Sequence, residues 1–313
     1  MIRKLLNTAK VAVIILLALA TQFSYGQNLQ SKKGPIIVCP AETVPNELYI
    51  PRSNSSHLRT SGAASDIFEV EYVGFSEEAQ VAFQYAVDIW ESILKTDVKI
   101  RVQATWEPLG TGVLGSAGAS VYYRDFENAP IPNTFYPVAL AEKLAGQELN
   151  SSEDFDIEAS FNSEFSNWYL GTDGQGSGQY DLVSVVLHEL GHGLGFISGE
   201  NYDESNNTAQ WDLSDTGFPM VFTSFLEDGE GVNILDVANG TEELGTFLTS
   251  SDVFVSTDLV NISNSGPAKI FAPSPYDPGS SISHWDESTF NNTPNALMTP
   301  AVAPSEVIHD PGI

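Results

Sequence analysis

Apolar and polar positions along the chain fall into short periodic runs separated by glycine- and serine-rich breaks. Residues 67–73 (I-F-E-V-E-Y-V) alternate with the period of two that a half-buried strand requires. Residues 76–94 switch to the helical period, with Ala79, Phe83, Ala86, Val87, Trp90 and Leu94 on one face, Ser76 as cap, and Glu77 and Glu78 in the first turn. Alternation returns over 98–106, again over 156–161, and less cleanly over 119–123 and 135–140, so each of these predicts a strand. If 156–161 lay at a sheet edge, its free backbone groups would suit pairing with an extended peptide. Residues 110–118 read as a glycine-rich connection; they lack the spacing of a phosphate loop and no helix follows them.

The most informative stretch is 183–196, V-S-V-V-L-H-E-L-G-H-G-L-G-F. Val183, Val186, Leu187, Leu190 and Leu194 recur at helical spacing, Asp181 is placed to cap the start, and Gly195 is a natural exit. His188 and His192 stand four apart, hence on one helix face about a turn apart, where both imidazoles reach a single ion. Glu189 then lies beside that ion without ligating it, where its carboxylate takes a proton from a water. A bare H-E-x-x-H arises by chance in polar-faced core helices, but here the cap, the apolar face and the glycines agree with the motif.

A catalytic zinc site needs a third protein ligand and an open position. Of five histidines, His57 sits in a linker-like stretch and His309 follows the apolar turn N-A-L-M-T-P at 295–300, which leaves His284 in S-I-S-H-W-D-E. Asp212 and Asp286 are the rival third ligands.

Together these residues resemble the metzincin metallopeptidases, nearest the leishmanolysin-like branch. The resemblance is carried by His188, Glu189, His192, Gly195 and a Met-turn at Met298. The commoner metzincins place a histidine where this chain has Ser198; the leishmanolysin-like branch interposes a long insert first, as residues 199–283 do before His284. The resemblance implies an α+β, zincin-type catalytic domain over 66–313, with a twisted mixed sheet, an active-site helix and a lower irregular part. It also implies a zinc endopeptidase acting on protein or peptide substrates in the cleft between the two parts. Trp211 and Phe218 in the insert are candidate pocket-lining residues, and the proline-bearing tail after Met298 is shorter than the C-terminal helix usual in such enzymes.

Composition changes the picture in three ways. Residues 1–26 read as a secretory signal, with Arg3, Lys4 and Lys10 ahead of an apolar run that is too short for a span, so the expected protein is exported, without a membrane span. The net charge of −28 falls to about −31 once those three cations are removed, which disfavours nucleic acid and makes calcium a second cofactor reading beside zinc. Cys39 is the only cysteine, so no internal disulfide forms. Residues 27–65 read as a pro-segment or linker, in which I-I-V-C-P is either a buried strand or a loop whose thiolate caps the metal in a latent precursor. The competing functional classes are a non-catalytic exported binding module that keeps the zinc, and a zinc hydrolase of a non-peptide amide. Oligomeric state is not encoded in any of these patterns.

Overall fold

A computed structural model of the chain describes residues 29–52 and 67–312; the signal-like 1–26 and His57 lie outside them. It is a mixed α+β structure with several sheets and six α-helices among the described residues. Its centre is a five-stranded sheet built from β1 (Ile37–Pro40), β2 (Phe68–Val73), β3 (Ile100–Glu107), β4 (Val113–Ala119) and β5 (Ile157–Asn162). Their order across the sheet is β1-β4-β5-β3-β2. Strands β2, β3 and β5 run parallel, whereas β4 is antiparallel to both β5 and β1. The predicted strand at 156–161 is therefore central, not an edge, because β4 covers its outer side.

Helix α1 (Glu77–Ile93) begins where Ser76 accepts from the Ala79 amide, and buries Ala79, Phe83, Ala86 and Val87 as its period predicts. It packs against α3 (Leu182–Leu194), which in turn lies across β4 and β5. Phe83, Val102, Leu114, Phe161, Leu187 and Leu190 meet in this layer, all fully buried.

Two expectations change here. The glycine-rich 110–118 is largely strand β4: a Cβ at Gly115 would meet the Glu189 side chain at 3.1 Å, and one at Gly118 would meet the Pro35 carbonyl at 2.7 Å. Small residues are required there by close packing, not by a turn. Residues 135–140 are not one strand. Tyr136–Pro137 pairs briefly with Tyr122–Arg124, and α2 (Val138–Ala145) follows, because V-A-L-A-E-K-L-A is rich in good helix formers and ends at Gly146 with φ 69°.

Residues 199–283 are compact. They contain an antiparallel sheet of β6 (Leu226–Asp228), β7 (Val253–Val255) and β8 (Ala268–Ile270), and the helices α4 (Glu242–Leu248) and α5 (Asp258–Asn264). Leu226, Leu244, Val253 and Ile270 belong to the same buried cluster as the central sheet. A short α6 (Glu287–Phe290) and a 3₁₀ turn (Ala296–Met298) follow. The tail then pairs Val307–Ile308 with Tyr49–Ile50 and places His309 against Asp181 at 2.9 Å.

Candidate metal centre

Asp181 caps α3 by accepting from the Ser184 amide at 2.8 Å, and the helix stops at Gly195, whose φ of 127° excludes most side chains. The glycines within it make room for neighbours. A Cβ on Gly191 would meet the Met298 sulfur at 2.8 Å, and one on Gly193 would meet Ile157 at 2.5 Å. Met298 thus packs directly under the turn of helix that carries both histidines.

The third histidine arrives from the lower part. Backbone bonds from Phe271 to the His284 carbonyl and from Ile282 to the Phe271 carbonyl continue the line of β8, while the Trp285 amide donates to the Met298 carbonyl. The His192 and His188 Nε2 atoms lie 3.0 Å apart, and those of His192 and His284 3.2 Å apart; all three residues are fully buried.

The Nδ1 atoms fix the tautomers. His188 Nδ1 faces the Leu297 carbonyl, His192 the Phe196 carbonyl and His284 the Ser280 carbonyl, each at 2.7 Å. Since a carbonyl only accepts, each Nδ1 carries the proton and each Nε2 presents a lone pair. Three lone pairs facing one another in a buried site repel, and a cation at their centre removes the conflict. A tetrahedral zinc with nitrogen ligands at 2.0–2.1 Å calls for nitrogen separations of about 3.3 Å, close to those observed. Burial pushes the His188 pKa down to about 4; burial and then the neighbouring His188 push that of His284 to about 3. His192 is lowered too, by burial and then by both neighbours. All three are neutral ligands near pH 7, so the buried cluster fits a metal ion.

Glu189 is fully buried, and neither carboxylate oxygen has a hydrogen-bond partner. Burial raises its pKa well above the ordinary value. An orphaned carboxyl in such a place is costly unless an ion or a water partners it.

The rival ligands are employed elsewhere. Asp212 accepts from the Gly217 amide and the Asn239 side chain, and Asp286 accepts from Ser288 and Thr289 while facing Lys269 at 3.8 Å. His309 pairs with Asp181. Trp211 donates to the Val237 carbonyl, and Phe218 lies under the Arg124 guanidinium at 3.9 Å. Among the described residues, two groups of three His, Cys, Asp or Glu bring their ligand atoms within 4.8 Å: the three histidines, and Cys39 with His188 and Glu189. An aromatic cluster missed in the sequence lies to one side of His192: Phe196 is 6.4 Å from it and itself packs on Phe222 and Trp285. Their signal was only that of an apolar helix exit.

Residues 105–224 match the sequence model of a family described as SPBPB7E8-like. The matched stretch contains His188, Glu189 and His192 and ends before His284. A protein of Schizosaccharomyces pombe, "Uncharacterized protein PB7E8.01", is 25% identical over 152 residues, which are 46% of this chain and 26% of that protein. The match thus spans about a quarter of the relative's length. No solved structure matches.

Proposed function

We propose that the chain is an exported zinc endopeptidase of the metzincin type, nearest the leishmanolysin-like branch. The observation that carries this reading is the convergence of the His188 and His284 Nε2 atoms on that of His192, at 3.0 and 3.2 Å, beside a buried carboxyl with no partner. A structural zinc site closes its fourth position with another ligand and has no use for such a carboxyl.

His188, His192 and His284 would hold the ion, and as neutral ligands they leave its positive charge undiminished. A zinc ion there supplies the field that acidifies a water and polarises a scissile carbonyl. Glu189 accepts the proton of the attacking water and delivers it to the nitrogen of the leaving amine as the C–N bond breaks. Met298 and the Leu297 carbonyl keep the first ring in register. The leader-like residues 1–26 support export, and no helix among the described residues is long and apolar enough to cross a membrane.

Glu189→Gln is the test. Zinc content should stay at one equivalent per chain, while cleavage of an unfolded protein substrate falls by about 10²–10⁴-fold, the usual contribution of a general base. Undiminished cleavage by that variant would overturn the assignment.

A further inference from the structure

Helix α2 reads V-A-L-A-E-K-L-A, and its buried residues are Val138, Ala139, Ala141 and Glu142. A glutamate on the inner face of a short apolar helix calls for a partner. Glu142 is 1% exposed, and so is Asp156, the residue that leads into β5. Glu142 Oε1 accepts from the Leu149 amide at 2.9 Å and from the Asn150 amide at 3.3 Å, but Oε2, closed to solvent, has no partner. Asp156 Oδ2 accepts from the Arg101 amide at 2.7 Å, and Oδ1 from Asn150 Nδ2 at 2.9 Å. Asn150 thus stands between the two carboxyls, and its own Oδ1 is likewise closed to solvent and unpartnered.

Arg101 does not neutralise the pair. Its Nη1 donates to the Ser152 and Asp154 carbonyls at 2.6 and 3.0 Å, and its guanidinium lies over the Phe155 ring. Burial pushes Glu142 up to about 7 and Asp156 up to about 6, and Glu148 raises both further. Two buried oxygens without donors in such a place require either a proton shared between them or a cation. The surroundings favour the cation. A pocket of about 360 Å³ has Asn150 in its wall beside Ser120 and Tyr123, and its charged residues are Glu153, Asp154 and Glu158 with Lys33. It has room for the waters that complete a shell, and its net negative field draws a divalent ion inward.

We propose that Glu142 Oε2, Asn150 Oδ1 and Asp156 Oδ1 are ligands of a calcium ion that fastens α2 to the start of β5. Oxygen atoms alone, two of them from carboxylates, are the donor set that calcium takes, whereas zinc is held by nitrogen and sulfur. The bound ion keeps both carboxyls ionised where burial otherwise favours their protonated forms. The junction bears on the histidine cluster through packing: a Cβ on Gly193 would meet Ile157, next to Asp156, and one on Gly195 would meet Pro137, the residue before α2. Both elements that the ion joins therefore touch the end of α3. The proposal stands apart from the peptidase reading, since it concerns the chain with or without turnover.

Calorimetric titration of the full chain with calcium chloride at physiological salt is the test. One equivalent should bind with a Kd in the range of extracellular modules, about 10⁻⁴–10⁻³ M, and raise the midpoint of thermal unfolding. Magnesium should do much less, because it demands close octahedral ligands and gives up its water reluctantly. Glu142→Gln keeps the shape of the side chain and removes one ligand charge, so it should weaken calcium at least about tenfold. Binding undiminished in that variant would put the ion elsewhere on the acidic surface, and an equal shift with magnesium would reduce the effect to screening; either overturns the proposal. So does a chain indifferent to calcium whose Glu142→Gln variant is as stable as wild type, the signature of a shared proton. Amide exchange in the wild type needs no variant: calcium should slow Ser120, Leu149 and Asn150 at least about tenfold and leave α4 unchanged. Equal slowing in both places, or none, overturns the proposal as well.

Discussion

The histidine cluster joins two regions that are built differently. The upper region, from β2 to α3, places His188 and His192 by local rules: a capped helix, a fixed spacing of four, and a sheet that holds the helix in place. The lower region, after residue 199, delivers His284 through three-residue strands, short helices and a turn that closes on the Ser280 carbonyl. Yet the upper rings are not independent of the lower region, since the Leu297 carbonyl orients His188. A regular helix fixes where ligands start, and irregular chain fixes where they point.

If the regions share one core, a cavity in either should lower one common unfolding transition. Phe161→Ala in β5 is expected to cost about 3–5 kcal/mol, and Leu244→Ala in α4 about 2–5 kcal/mol, both residues being fully buried. Calorimetry on the two variants checks this. A second transition that moves with Leu244 alone would show that the insert unfolds by itself.

The same contrast explains what the sequence disclosed. Ser76, Asp181 and the period of 183–194 made both long helices legible, and β2, β3 and β5 showed their alternation. Strand β4 was hidden because Gly115 and Gly118 serve close contacts on both sides, and glycines in a run otherwise signal a turn. The central position of β5 was hidden too, since periodicity reports which face is buried but not which strand pairs beside it. His284 was singled out by elimination among five histidines and by the Met298 turn after it, because the carbonyl that aims His284 and the bonds that bring it to Met298 are non-local. Likewise the closeness of Cys39 to Glu189 depends on a pairing between residues far apart in sequence.

Acid and base should act on the histidine cluster and on the tail in opposite senses. In metal-free protein the depressed His188 and His284 favour the folded state above the ordinary histidine pKa of about 6.5, and that contribution drains away as pH falls toward about 4 and about 3 respectively. Glu306, in the tail, accepts from Asn46 and the Ala303 amide, and burial pushes its pKa up to about 7. A raised carboxyl stabilises the fold fully below its unfolded pKa of about 4.5, and that support is lost as pH climbs to about 7. Glu306→Gln removes the titration. Relative to wild type its stability should therefore rise between pH 4.5 and 7, by up to about 3 kcal/mol, as read from urea midpoints across that window. A pH-independent difference would place the Glu306 proton elsewhere.

The smallest effect tests the seam itself. The Ser283 hydroxyl accepts from the Ser198 amide at 3.1 Å, with both residues buried, and so ties the chain just past helix α3 to the residue before His284. Ser283→Ala leaves that amide without a partner, at a cost of about 1–3 kcal/mol. Part of the cost should appear as lost metal affinity, because the loop that aims His284 is freer to turn; outer partners of this kind are worth about 10–100-fold. His188 and His192 keep their own carbonyl partners in the variant, so binding weakens without being abolished. Competition with a zinc-sensitive dye measures the loss. An affinity equal to wild type would mean that the Ser280 carbonyl alone suffices to fix the third ring, and that the lower region reaches the ion with less help from the upper one than the hydrogen bonds suggest.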